Sequence, residues 1–302
     1  EFIAKIEPIL FKLRVQRQSR IPTTVDDKII TSWNSLAISA FVQAGLLFGR
    51  QDYIEASQSA IDFLLENLIA QDGKILRAWS RGKSNQIGSL EDYAGLILAL
   101  GQIYQVNFSP MHYKKMRTIY QKMEEMFSSE DLFYNDAAFD VPHLILQPRN
   151  LQDNVTPSGN ALVCHVRWLI DQLEGFPEHA KNNHKILFKL STIIQQFPLS
   201  FGYWLKIADL ISQPTQQIAL ISSTSLIDLE PFLRIYHHSY NPYRVIAAKI
   251  DQEDTLNDAP GLCHNRFAIN EKITAYICQD FTCKLPITDI EDFKQSLLST
   301  SQ

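Results

Sequence analysis

The sequence has few cysteines and no long apolar run. Four cysteines in 302 residues are too few for a disulfide framework, so we expect reduced thiols and a cytoplasmic location. No apolar run approaches the roughly 18 residues that a membrane-spanning helix needs, so we expect no membrane partner. The chain also starts without a methionine or a leader-like segment, directly in a helical pattern, and we expect a fragment or a processed form.

Basic charge is not in excess either. The chain carries 28 Lys and Arg against 33 Asp and Glu, so we expect no nucleic-acid partner. HExxH, GxSxG, CxxC and glycine-rich phosphate-loop motifs are missing, and we expect no cofactor and no metal. A zinc site at Cys263, His264, Cys278 and Cys283 would have poor ligand spacing, and reduced, packed thiols are the simpler interpretation.

Helical patterns dominate what is present. Apolar residues recur at helical spacing over 2–18, and Ser32 is the predicted N-cap of the helix that follows it. Pairs of helices then repeat, each pair followed by an irregular or β-containing loop, which predicts stacked αα-hairpins in a closed barrel or an open solenoid. The predicted pairs are 33–48 with 52–70, 90–105 with 111–127, and 158–173 with 178–196.

Strand patterns are short and lie mostly in the last third of the chain. Alternation predicts a strand in 74–80 and a β-ribbon in 131–147. After a helix over 199–212, a strand, a helix and two more strands are predicted at 217–222, 225–237, 245–249 and 276–278, which suggests a βαβ unit. The predicted parts are a hairpin-barrel portion over 1–213, a small βαβ-like insertion over 214–286, and a C-terminal helix over 287–302 that packs back on the barrel.

Acidic residues precede or open the first helix of each predicted pair. Because first helices of antiparallel hairpins point the same way, we expect these loops to gather at one mouth of the barrel. The catalytic candidates there are Asp27, Asp92 and Asp153, with Asp26 and Glu91 beside them. The alternative is structural, since acidic residues stabilise helix N-termini by a few tenths to about 1 kcal/mol.

Paired carboxylates are the working groups of glycoside hydrolysis, where one donates a proton and the other activates water or attacks. Aromatic rings near the mouth would stack on sugars, although such rings more often belong to a core. His143 is a further candidate base, with a surface position as the simpler interpretation. The substrate-binding candidates are Arg20, Lys28, Trp33, Asn34, Tyr93, Ser158 and Asn160.

Five motifs in this order resemble the YyaL-type, spermatogenesis-associated, thioredoxin-domain protein family. The motifs are Arg17-x-x-Arg20-x-Pro22, Asp26-Asp27-Lys28 followed by Trp33-Asn34, Leu90-Glu91-Asp92-Tyr93-Ala94, Asp153-x-x-x-Pro157-Ser158-Gly159-Asn160, and Cys278-x-x-x-x-Cys283-x-x-Pro286. The resemblance implies a thioredoxin-like domain followed by a six-hairpin, glycosidase-like α/α barrel, with this chain in its C-terminal part. The thioredoxin-like domain and the first hairpins are absent, and Ser35 replaces the family's usual glycine.

The expected fold is therefore mainly α: an incomplete six-hairpin, glycosidase-like toroid with a small C-terminal α/β insertion. One functional hypothesis is a glycoside hydrolase or sugar epimerase with a carbohydrate ligand. The other is a non-catalytic binding or scaffold module, partnered in the full-length family with a thioredoxin-like domain, in which Arg20–Asp27 and Asn160–Asp153 pairs are structural. In either case we expect open apolar edges that contact the missing N-terminal half of the barrel or a second copy.

Overall fold

A computed structural model describes residues 2–84, 86–141, 144–238, 240–251 and 259–298. His143 lies outside the described residues. The described chain is mainly helical, as expected, with two small sheets. None of its helices is both long enough and apolar enough to cross a membrane. The first helix, α1 (Phe2–Gln18), buries none of its residues, and residues 20–28 after it are also exposed.

Seven helices form the main body in three successive pairs and one single helix. Within each pair the two helices contact each other, and the first helices of neighbouring pairs also pack side by side, with the single helix against the last of them. The helices are α2 (Thr31–Phe48) with α3 (Gln51–Asn67), α4 (Leu90–Asn107) with α5 (Pro110–Phe127), α6 (Gly159–Glu174) with α7 (Ala180–Gln196), and α8 (Gly202–Ser212).

Helix α4 is the centre of this body. It contacts α2, α5 and α6, and most of its residues from Leu90 to Tyr104 are buried. An apolar surface on all sides is typical of a helix enclosed by others. Gly101 brings it close to α6, because a Cβ there would lie 2.5 Å from a methyl carbon of Leu169.

A small antiparallel sheet lies at the start of α2. Its strands are β1 (Ile29–Ile30), β2 (Ala78–Ser80) and β3 (Lys83–Ser84), in that order. The predicted strand at 74–80 is therefore shorter than expected. The predicted β-ribbon is wrong for the described residues 131–141 and 144–147, which contain no strand. In this segment, hydrogen bonds between residues that are not adjacent in sequence hold the chain in place of a strand ladder. One example is the bond from Asp136 N to Pro148 O at 2.8 Å.

The C-terminal third forms an α/β layer. β4 (Gln216–Ser222) and β5 (Arg244–Ile250) are parallel and are linked through α9 (Glu230–His238), while β6 (Thr274–Gln279) runs antiparallel to β4 and pairs with β7 (Thr282–Cys283). All seven residues of β4 are buried, because it lies between two neighbours. A continuous apolar run is typical of such a strand.

Polar contacts attach the α/β layer to the helices. Ile246 N donates to Gln105 Oε1 at 3.2 Å, and Gly261 N donates to Glu174 Oε2 at 3.3 Å. The last helix, α10 (Ile290–Leu298), packs against α9, with Phe232 and Phe293 ring centres 5.0 Å apart. We expected this helix against the barrel portion, but its buried apolar side completes the α/β layer instead.

The cysteines differ from expectation in one pair. Cys278 and Cys283 form a disulfide between β6 and β7, so the expectation of reduced thiols is wrong for them, whereas Cys164 and Cys263 are free and buried. Arg266 Nη2 lies 3.1 and 2.9 Å from the two bonded sulfurs. Within the described ranges, no group of three or more His, Cys, Asp or Glu side chains is placed to hold a metal ion.

Candidate functional site

A polar cavity of about 320 Å³ lies where the N-terminal ends of α4 and α6 meet. We call it the acid cleft. It contains two carboxylates, one guanidinium and several amides and hydroxyls, and residues of two sequence motifs line it together. The lining residues are Arg77, Ser89, Glu91, Asp136, Asn150, Gln152, Asn154, Thr156, Pro157, Ser158 and Gly159.

Arg77 organises one wall of the acid cleft. Its Nη1 lies 2.9 Å from Ser89 Oγ, 3.1 Å from Glu91 Oε1 and 3.1 Å from Asp92 Oδ2. Glu91 is in the first turn of α4, where a negative charge is favoured by the helix dipole. The guanidinium therefore holds Glu91 at the cavity wall.

Asp92 supports this wall from behind and does not line the cavity. Its side chain has no exposed surface. Oδ1 accepts the backbone N–H of Ser32 at 2.9 Å, and Oδ2 accepts Ser89 N at 2.9 Å. The predicted N-cap role of Ser32 is wrong, because Ile30 occupies the cap position and Asp92 supplies the acceptor from another helix. With both oxygens used, the carboxylate fixes the starts of α2 and α4.

Asp136 is the second carboxylate of the acid cleft, and it is not among the site residues that the sequence predicts. It is half-buried, and its Oδ2 accepts Asn150 N at 2.6 Å. Burial and the negative charge of Glu91 raise the pKa of Asp136 above its usual value, although the Asn150 bond opposes this. No spacing pattern marks Asp136, because a tertiary contact places it beside α4: Leu90 N donates to Asp136 O at 3.0 Å.

Asp153 caps helices instead of facing the cavity. Its Oδ1 accepts Ser158 N at 2.9 Å, and its Oδ2 accepts Tyr203 N at 2.8 Å at the start of α8. Its neighbours Gln152 and Asn154 do line the acid cleft. Asp153 thus joins the starts of α6 and α8 and holds its two neighbours in place.

Ser158 and Asn160 also have structural partners. Ser158 Oγ accepts Ala161 N at 3.2 Å and caps α6, while the residue itself lines the acid cleft. Asn160 is buried, and its amide exchanges bonds of 2.8 and 3.0 Å with the backbone of Tyr134. The expected Asn160–Asp153 pair is wrong, because both groups are bonded elsewhere.

The remaining charged candidates lie on the exposed segment before β1. Asp27 accepts Ser80 Oγ at 2.7 Å and Arg81 Nε at 3.0 Å, and these hydrogen bonds lower its pKa. The expected Arg20–Asp27 pair is therefore wrong. Asp26 and Lys28 form an exposed ion pair at 3.0 Å. None of these four candidates, Arg20, Asp26, Asp27 and Lys28, lines the acid cleft.

The aromatic candidates separate into one core residue and one surface residue. Tyr93 is buried, accepts Ile75 N at 2.9 Å and donates to Met126 Sδ, and burial raises its pKa to about 12. Trp33 is 58% exposed in the first turn of α2 and does not line the cavity. Asn34 donates to Ile30 O at 2.8 Å and holds that turn.

Comparison with known proteins gives relatives but no matching family model. Spermatogenesis-associated protein 20 from Rattus norvegicus and from Homo sapiens are each 23% identical over 93% of this chain. An uncharacterized protein of Caenorhabditis elegans is 22% identical over 97% of the chain. The chain spans only 37% of the two mammalian proteins and 40% of the nematode protein. These matches confirm the resemblance predicted from the five motifs: over nearly its whole length, this chain is similar to spermatogenesis-associated protein 20.

Proposed function

We propose that the acid cleft binds a sugar and that Asp136 and Glu91 supply acid–base chemistry to it. The observation that carries the proposal is the pair itself: two carboxylates line one polar cavity, and one of them has a raised pKa. The amides of Asn150, Gln152 and Asn154 add donors and acceptors suited to sugar hydroxyls. This keeps the predicted barrel-mouth chemistry but assigns it to a different set of carboxylates.

In a hydrolase of this kind Asp136 would be the acid and Glu91 the second carboxylate. A raised pKa keeps a carboxyl group protonated nearer neutral pH, so Asp136 is the better donor to a leaving oxygen. Glu91, held by Arg77, would act on water or on the sugar carbon. In an epimerase the same pair would remove a proton and return it on the other face.

We further propose that α2 to α8 are part of an incomplete six-hairpin toroid. The side-by-side contacts of α2, α4, α6 and α8, with their paired helices packed against them, support it. The exposed apolar side chains of α1, among them Phe2 and Phe11, would then contact the rest of a longer protein or a second copy. The relatives are longer than this chain, which agrees with a contact to the rest of a longer protein.

The test measures binding and turnover of an oligosaccharide panel by the purified protein. Asp136→Asn and Glu91→Gln remove the two charges with little change of shape, and Asp26→Asn is the control outside the acid cleft. We expect turnover to fall about 100-fold or more in the two cleft variants and to be unchanged in the control. Absence of binding to any sugar, or turnover independent of both carboxylates, would sink the proposal.

A scaffold role is the second candidate, and a specific observation favours it. The side chains of Asp92, Asp153 and Asn160 use their polar atoms on backbone groups of other elements. Thermal unfolding separates the two readings. If Asp136 has only a structural role, Asp136→Asn should lower Tm. If Asp136 is a partly buried catalytic acid, its presence costs stability, and Asp136→Asn should leave Tm unchanged or raise it.

A further inference from the structure

A second cleft, of about 180 Å³, lies near the other ends of α2 and α4, between α8, α9 and the start of β5. We call it the basic cleft. Its lining differs in charge from the acid cleft: the described residues that line it include a lysine, an arginine and two histidines and no Asp or Glu. Those that carry the argument are Gln102, His165, Trp168, Lys206, His237 and Arg244.

Positive charge collects at the basic cleft although the net charge of the chain is −5. Lys206 is on the exposed side of α8, with its Nζ 4.9 Å from the ring centre of Tyr203, and no described carboxylate lies within ion-pair distance of it. Arg244 is buried, and its Nε donates to Gln216 Oε1 at 2.7 Å. The guanidinium is thus held in place, and its charge adds to that of Lys206.

The two histidines add hydrogen-bond donors. His165 Nδ1 lies 2.7 Å from Tyr203 Oη, and if that hydroxyl donates, the proton of the neutral ring is on Nε2. Burial lowers the pKa of His165 to about 3 and that of His237 to about 4, so both rings are neutral at pH 7. Each neutral ring then offers one N–H without adding to the electrostatic repulsion between the cations.

An apolar wall completes the basic cleft. Trp168 is 7% exposed, and its ring centre lies 5.9 Å from that of His165. Gln102 adds an amide near the C-terminal end of α4. Convergent donors beside an aromatic wall are typical of a small-molecule site, where polar groups orient the ligand and apolar groups bury it.

We propose that the basic cleft binds a small molecule through an oxyanion, a phosphate or carboxylate group held by Lys206, His165 and His237, with its apolar body against Trp168. This site is separate from the acid cleft and does not depend on the function proposed there. The physical reason is charge: an oxyanion supplies acceptors to groups that have donors, whereas a neutral sugar would leave Lys206 uncompensated.

The test uses phenyl phosphate, benzoate and phenol as probes, titrated calorimetrically into the protein at low and moderate salt. We expect saturable binding of phenyl phosphate, of benzoate or of both, and none of phenol. Tighter binding of one anion then identifies the group that the cleft prefers. No saturable binding of either anion, or equal binding of phenol, would overturn the proposal.

Matched variants locate the site. Lys206→Gln is expected to weaken anion binding at least 10-fold, and Lys189→Gln, which removes the same charge from the exposed side of α7, is expected to leave it unchanged. Equal weakening by both would indicate non-specific attraction and contradict the site. Proton NMR of the histidine rings gives a second readout in the unmutated protein: bound anion should shift His165 and His237 but not the exposed His184.

Discussion

Asp92 Oδ1 accepts the backbone N–H of Ser32 at 2.9 Å and so joins the first turn of α4 to that of α2. The N-terminus of α2 has no side-chain cap of its own, because Ile30 stands at the cap position. Asp153 acts similarly at the start of α8, where Phe201 occupies the cap position. Two motif aspartates therefore satisfy free N–H groups of helices other than their own, which explains their positions near helix starts without invoking chemistry.

Asp92→Asn tests this capping role. The amide keeps one acceptor but turns an NH₂ group towards donors from Ser89, Arg77 or Ser32, so a buried hydrogen-bond set is broken. We expect the free energy of unfolding to fall by about 3 kcal/mol, measured by urea denaturation. Asp26→Asn, in an exposed pair with Lys28, should leave stability unchanged. Equal effects from the two variants would contradict the assignment.

Stability should fall as pH falls below about 6.5. The pKa of His165 is about 3 in the folded protein because of burial, and the charge of Lys206 adds to the effect. The unfolded chain protonates this ring near pH 6.5, so only the unfolded state gains a proton as pH falls from 7 to 5. The stabilisation is therefore present above pH 6.5 and is lost towards pH 3.

His165→Gln isolates that contribution. Between pH 7 and 5 we expect the variant to lose about 1–2 kcal/mol less stability than the unmutated protein, since one proton fewer is taken up on unfolding. His112 and His237, whose pKa values are also lowered by burial, continue to supply the same trend in both proteins. Parallel pH curves for the two proteins would show that His165 titrates normally.

Reduction should weaken the α/β layer. The Cys278–Cys283 disulfide closes a short loop between β6 and β7, and Cys283 is exposed, so a dithiol reagent can reach it in the folded protein. We expect reduction to lower the free energy of unfolding by about 2 kcal/mol. Mass spectrometry after alkylation should find Cys283 labelled first, with Cys164 and Cys263 protected by burial. A double serine variant should not respond to the reductant.

Gly261 controls how closely the α/β layer approaches α6. A Cβ at this position would lie 2.5 Å from the backbone oxygen of Glu174, which cannot move without shifting the end of α6. We expect Gly261→Ala to lower stability by about 1–3 kcal/mol. Gly202→Ala is the control, because no atom lies within 4 Å of a Cβ there, and it should raise stability by about 0.5 kcal/mol. The reverse order in a thermal scan would contradict this packing.

Much of the secondary structure could be predicted because local pattern decides it. The apolar spacing after Leu90 and the run Ile218–Ile221 lie in a buried helix and a buried strand, as predicted. The conformation of the 131–147 segment could not be predicted, because hydrogen bonds to residues far away in the sequence hold it. Those between Asn160 and Tyr134 are an example. The same holds for Asp136, whose position depends on the backbone of Leu90 and Asn150.

By itself, the sequence determined the helical class, the strands β4, β5 and β6 of the α/β layer, and the placement of polar residues before or in the first turn of the first helices. Only the tertiary structure decided which of those residues face a cavity: Glu91 and Ser158 do, while Asp92 and Asp153 turn to helix ends. The physical reason is that a carboxylate near free backbone N–H groups is stabilised either by them or by water and ligand. That choice depends on which helix end lies next to it, and helix packing sets this across many residues of chain.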